Sequence, residues 1–140
     1  NETPNDMIAF GSARRAGEKA YAQAGMTAKD IDFAELYAPC TIVEVLVSEA
    51  LDLVARGEGG RMAAAGETSV GGRIPICTSG GLQSRGHPAY VTALYSYIEV
   101  LDQFRNRAGG RQVEGAGIGM TSAELGNYNA ALVHILEAVQ

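Results

Sequence analysis

The stretch Ser79-Gly80-Gly81-Leu82-Gln83-Ser84-Arg85-Gly86-His87-Pro88 holds the residues best suited to chemistry. An imidazole is the side chain most able to move a proton near neutral pH. The glycines around His87 let backbone approach a ligand and turn amides toward it. Pro88 stands where a proline readily starts a helix, because its missing N–H costs nothing in the first turn. His87 would then lie at the N-terminus of that helix, where the dipole disfavours an imidazolium and a neutral ring is expected. The same residues fit a plain loop in which His87 only caps the helix, and residue type alone does not separate the two readings. Cys40, Cys77, His87 and His134 supply soft metal donors, but their spacing follows no zinc pattern. Two cysteines are also too few for a secreted disulfide scaffold.

The elements that must position these residues can be read from periodicity and turn chemistry. Gly11 to Ala24 is rich in Ala, Arg, Glu, Lys and Gln, with Ser12 to cap the start and Gly25 to end it, and predicts a helix. Asp30 to Leu36 predicts a strand. Ile42, Val45, Leu46, Glu49 and Leu53 predict an amphipathic helix over Thr41 to Ala55. Gly57 to Gly72 reads as an extended loop and Ile74 to Thr78 as a brief strand. Pro88 to Arg105 predicts the longest helix, with Val91, Leu94, Tyr95, Ile98, Leu101 and Phe104 on one face. Arg111 to Thr121 and Asn129 to Glu137 complete the order as strands. Strands alternating with helices predict an α/β domain, a mostly parallel sheet with helices on its faces, and the final pair can add an antiparallel edge.

Composition narrows the function classes. The 140 residues carry 11 basic against 16 acidic side chains, a net charge of −5, with no basic run. Nucleic acid and anionic membranes need clustered positive charge, so neither is expected as a partner. No apolar stretch reaches the ~20 residues of a membrane span, and a soluble cytoplasmic protein is expected. The 18 glycines cluster between the predicted elements, as tight connections or as places where backbone nears a ligand. The length alone suits one ordinary domain. Yet the chain opens on a helix with no preceding strand, which suggests a piece of a larger protein.

Four segments carry a resemblance. They are Gly86-His87-Pro88 after Ser79-Gly80-Gly81, the run Ala24-Gly25-Met26-Thr27-Ala28-Lys29-Asp30-Ile31-Asp32, the loop Gly57-Glu58-Gly59-Gly60-Arg61, and Gly109-Gly110-Arg111-Gln112-Val113. In register from about residue 10 to the end, the sequence resembles the C-terminal half of thiolase-superfamily proteins, in the non-specific lipid-transfer or sterol-carrier branch. The resemblance implies a thiolase-like fold, three-layered αβα when joined to an N-terminal half. It also implies that residues 1–140 form the C-terminal domain of a longer subunit that dimerises and takes an acyl-CoA, with coenzyme A part of the substrate and no cofactor held by this chain.

The departures from that family redirect the chemistry. Where relatives carry Asn-Glu or His-Asp after the strand ending at Glu35-Leu36, this sequence has Tyr37-Ala38. The family's second reactive cysteine is missing from Gly117 to Gly126, Cys77 stands for a water-holding asparagine, and Ala89-Tyr90 follows Gly-His-Pro. Ordinary thiolysis needs a proton-shuttling cysteine in this half. By family superposition Tyr37 and Tyr90 face one pocket beside His87, and two phenols with an imidazole suit retro-aldol cleavage of a β-hydroxyacyl-CoA. One tyrosine takes the hydroxyl proton, and His87 with amides of Gly80, Gly81 or Gly86 supports the enolate oxygen. Holding a tyrosine ionised at neutral pH costs about 4 kcal/mol unless the site lowers its pKa. The branch with such activity cleaves steroid side-chain CoA esters beside a small OB-fold, zinc-ribbon partner of the DUF35 type. Two alternatives remain: an acyltransferase using a cysteine in the N-terminal half, and a non-catalytic acyl-CoA- or lipid-binding subunit.

Overall fold

Three strands and five helices fill the computed structural model, which describes residues 8–88, 91–126 and 128–139. Helix α1 (Gly11–Ala24) forms as its helix formers dictate and ends at Gly25 in the left-handed conformation that glycine tolerates. Its start differs from expectation. Phe10 occupies the N-cap without a side-chain bond, and Ser12 donates to the Tyr128 carbonyl at 2.6 Å, tying the helix to a distant turn. Thr27 and Asp30 close a reciprocal capping box on a 3₁₀ turn, which feeds strand β1 (Phe33–Glu35).

Helix α2 (Thr41–Ala50) is shorter than its apolar pattern suggests. Asp52 turns left-handed, and the chain doubles back to bury Leu51, Leu53 and Val54. The segment 57–72 is not wholly loop, since Gly59–Ala64 forms α3. The expected strand at Ile74 to Thr78 reduces to one parallel bridge, Ala34 to Ile76. Pro75 has no N–H to give, and Cys77 at φ 51° breaks the extended run. A short helix α4 (Gly81–Arg85) follows, then α5 (Thr92–Phe104). Strand β2 (Ile118–Leu125) begins late because Gly109–Arg111 makes a 3₁₀ turn, and β3 (Ala130–Glu137) returns beside it.

The sheet order is β1-β2-β3. β1 lies parallel to β2 with Phe33 opposite Gly119 and Glu35 opposite Thr121, while the longer β2–β3 ladder is antiparallel. The sheet is therefore mixed, with the antiparallel edge the final pair was expected to add. Alternation along β1 sends Ala34 and Leu36 into a core with Ala13, Val43, Val47 and Met120, and Phe33 into a smaller one with Val100 and Val113. Helices α1 and α2 thus cover one face and α5 the other. The Asp32 carboxylate accepts from the Gly117 and Ile118 amides, both at 2.8 Å, and so pins the start of β2 to the start of β1.

Candidate active site

Tyr37 leaves the C-terminal end of β1, where its backbone N–H donates to Ser122 Oγ of β2 at 3.1 Å. The parallel register fixes that pairing, so the strand carries Tyr37 to a set place. His87 arrives by another route. Gly80 and Gly81 take left-handed conformations at the entry to α4, and a Cβ on Gly80 would lie 2.7 Å from Ser84. Gly86, at φ 93°, ends α4 and redirects the chain. Tyr37 Oη and His87 Nε2 then meet at 3.2 Å, with the rings edge-on and 5.6 Å between centroids. With the imidazole proton on Nδ1, the phenol donates to Nε2. Tyr37 is half-buried and His87 exposed, so the pair faces an open surface.

Burial pushes the Tyr37 phenol up from its ordinary value, and the nearby Glu124 and Cys40 push the same way. The resting group is therefore a phenol. Three residues lie close to it, of which Tyr128 and Glu124 carry no signal in the sequence and Cys40 stands out there only as a metal donor. Tyr128 sits with its ring 6.4 Å from that of Tyr37, at the left-handed turn between β2 and β3. Cys40 is exposed at the N-cap of α2. Glu124 is 5% exposed; Ser122 Oγ donates to its Oε1 at 3.2 Å, and its Oε2 has no hydrogen-bond partner among the described residues. Burial lifts the Glu124 carboxyl to about 8, against the opposing Ser122 bond. Only the fold brings Glu124 and Tyr128 to Tyr37, since they lie on β2 and the turn after it, whereas Cys40 follows Tyr37 in the same connection.

Behind the Ser79 turn lies a buried polar cluster. Glu35, wholly buried, accepts from the Ser79 amide at 3.1 Å and from Ser79 Oγ at 2.6 Å. Thr78 Oγ1 lies between Glu35 and Glu99, and Arg111 and Gln103 donate to Glu99. Arg85, from the same glycine-rich stretch, turns inward. Its Nη2 is 3.6 Å from Glu35 and its guanidinium lies over the Tyr95 ring at 5.3 Å.

Other expected site residues fall differently. The amides of Gly80, Gly81 and Gly86 already donate, to the Cys77 carbonyl, Ser79 Oγ and the Leu82 carbonyl. In this arrangement they shape the turn and leave no N–H for a ligand. Tyr90 and Ala89 lie outside the described residues. Helix α5 begins at Thr92, so His87 is not in its first turn and the dipole argument for a neutral ring does not apply. Cys77 is buried, with its thiol donating to the Leu36 carbonyl and its pKa pushed well up by burial, whereas Cys40 is exposed. His134 pairs with Tyr97 across α5 and β3 at 2.7 Å, and no metal-holding group of His, Cys, Asp or Glu occurs among the described residues. A cleft of about 480 Å³ between Asp32, Gly71, Arg73 and Glu114 lies at the opposite end of β1 from Tyr37.

The sequence matches the thiolase C-terminal domain-like family over residues 2–138. It is 42% identical over 130 residues to acetyl-CoA acetyltransferase from Methanothermobacter thermautotrophicus, covering 93% of this chain and 34% of that protein. Sterol carrier protein 2 from Bos taurus is 35% identical, with 94% of this chain and 26% of that protein covered. A solved structure described as Ltp2-ChsH2(DUF35) aldolase superposes with a TM-score of 0.75 at 27% identity, over 90% of this chain and 31% of that one. The chain thus spans about a quarter to a third of the length of these relatives. With a family match along nearly its whole length and a shared fold, the chain belongs to the thiolase superfamily, as a C-terminal domain of the sterol-carrier type.

Proposed function

We propose that this domain supplies the acid–base groups of a carbon–carbon lyase that cleaves a β-hydroxyacyl-CoA, with a steroid side-chain CoA ester as substrate. The observation that carries the reading is the 3.2 Å contact of Tyr37 Oη with His87 Nε2. A phenol whose pKa is raised cannot act as a resting phenolate, but it can pass its proton to His87 as it takes one from the substrate. The hydroxyl carbon then becomes a carbonyl, the Cα–Cβ bond breaks, and its electrons move into the thioester enolate. Return of one proton to Cα completes the reaction with no net change. Tyr90 is the proposed second phenol, and Gly80, Gly81 and Gly86 hold the turn that presents His87.

The likeness to the aldolase structure supports this reading, and the DUF35 component of that aldolase makes a DUF35-type partner part of the proposal. A longer subunit, with an N-terminal half and a homodimer, is proposed on two grounds. The chain spans only a fraction of its relatives, and α5 presents Leu94, Ile98 and Leu101 exposed, with Val91 exposed just before it. In the intact subunit, Tyr37→Phe is expected to lower ketone release from a β-hydroxyacyl-CoA by about 10²–10⁴-fold with folding unchanged. Activity within a few-fold of wild type would reject the assignment.

Cys40 favours a second reading. Its thiol is exposed and lies near enough to Tyr37 and Tyr128 to raise both phenols, so it could supply the proton-shuttling cysteine of an acyltransferase. Cys40→Ser separates the two, being silent for an aldolase and disabling for thiolysis. Covalent acylation of the intact protein, read by mass spectrometry, would favour the acyltransferase.

A further inference from the structure

We propose that Glu35 holds a proton in the resting protein and, as a neutral carboxyl, is the positioning residue for the Ser79-Gly80-Gly81 turn that leads into α4 and His87. Thr78 Oγ1 lies 3.1 Å from Glu35 Oε1 and 3.0 Å from Glu99 Oε1, while Gln103 Nε2 donates to it at 3.3 Å. A hydroxyl carries one proton. With both carboxyls ionised, one of the two oxygen–oxygen contacts would have no hydrogen in it, between groups buried away from water. One carboxyl must therefore be the acid.

Glu99 is not the acid. Both its oxygens accept from groups that can only donate: Oε1 from Arg111 Nε at 3.3 Å and Gln103 Nε2 at 3.0 Å, and Oε2 from Arg111 Nη2 at 2.9 Å. The Thr78 hydroxyl alone could take a proton from it, and a proton on Oε1 would displace the bonds from Arg111 and Gln103, whereas Glu35 Oε1 meets only the Ser79 amide besides Thr78. Glu35 is wholly buried, and its nearest cation, Arg85, stands 3.6 Å away and is shared with Ser96 and the Tyr95 ring. Placing the proton on Glu35 Oε1 puts a hydrogen in both contacts between Thr78 and the carboxyls. Ser79 Oγ donates to Glu35 Oε2, Oε1–H donates to Thr78 Oγ1, and Thr78 donates to Glu99. The hydrogens then all point inward from the turn. Ser79 Oγ is left an acceptor on its other side, and it takes the Gly81 amide at 3.2 Å. That polarity fixes the left-handed pair Gly80-Gly81 and hence the entry to α4.

The electrostatics agree. Burial pushes the Glu35 pKa up and the Glu99 carboxylate adds to this, outweighing the Ser79 bonds and Arg85. Burial also raises Glu99, but there the bonds from Arg111, Gln103 and Thr78 win and the net direction is down. The charged or titratable groups that face Glu35 are Arg85 from α4, Glu99 from α5, Cys77 from the bridge segment and Arg111 from the turn before β2.

The test uses the intact subunit and Glu35→Gln, whose amide can accept from Ser79 and donate to Thr78 as the neutral acid does. In the infrared difference between wild type and this variant at neutral pH, a carboxylic-acid carbonyl band is expected in the wild type. Glu124 is unchanged between the two and cancels. A carboxylate band in its place would overturn the proposal. The activity arm rests on the lyase reading. Glu35→Gln is expected to keep turnover within about threefold and to lose an alkaline limb of the wild-type pH profile, whereas Glu35→Ala loses about tenfold or more. A Glu35→Gln variant as damaged as the alanine variant, or unable to fold, counts against it. If the wild-type subunit shows no retro-aldol turnover, the lyase reading fails and the infrared result still decides the state of Glu35.

Discussion

At neutral pH the Glu124 carboxyl is uncharged, since burial lifts it to about 8 while an unfolded chain leaves it at 4.5. Between those values the folded state binds the extra proton, so stability is full below the unfolded value and falls as pH rises through the folded one. The loss has an upper figure of about 5 kcal/mol and levels off above about pH 8. Glu124→Gln is expected to flatten this decline, read as urea midpoints of the intact protein between about pH 5 and pH 9. A decline as steep as that of wild type would show that Glu124 does not titrate there. The sequence marks Tyr37 and His87 because their types and flanking motifs are unusual. Glu124 and Tyr128 leave no such mark, because their approach to Tyr37 depends on how the β2–β3 turn folds back. Likewise a count of glycines in the Ser79 turn cannot tell amides that face a ligand from amides already bonded to Cys77, Ser79 and Leu82.

Among the elements, Gly119 of β2 lies tight between Phe33 of β1 and Val100 of α5. A Cβ there would lie 2.8 Å from Cζ of the Phe33 ring and 3.1 Å from Val100 of α5. Phe33 and Val100 are both fully buried, so neither can swing into solvent. Gly119→Ala is therefore expected to cost about 1–3 kcal/mol in chemical denaturation and to disturb the α5–β2 packing. A variant as stable as wild type would mean the ring moves without penalty. Most elements were legible from their residues, with α1 nearly to the residue and β3 within one. The misses share a cause: local backbone conformations cut periodic patterns short. Asp52 ends α2 early, Cys77 interrupts the predicted strand, and the turn at Gly109–Arg111 delays β2. The helices α3 and α4 hide in glycine-rich sequence because they are only six and five residues long, too short for periodicity to register.

For the molecule as a whole, α5 is the informative surface. Leu94 is 60% and Ile98 53% exposed on a helix whose opposite side is packed on the sheet. Leu132 of β3 is also exposed, on the sheet face that α5 covers. Contiguous apolar surface of this kind marks contact with more protein. The isolated chain is expected to bind a hydrophobic dye and to self-associate, and Leu94→Lys with Ile98→Glu should relieve both in sedimentation measurements. The same pair placed in the proposed longer subunit should destabilise it; an unchanged melting temperature there would show that α5 stays uncovered. The hold on Tyr37 has a different consequence. The sheet grips position 37 by its amide, through Ser122, and leaves the phenol free of the frame. A side chain so mounted is interchangeable: its chemistry can be exchanged by mutation while the strand keeps its register, so one scaffold can be retooled for new reactions without being refolded.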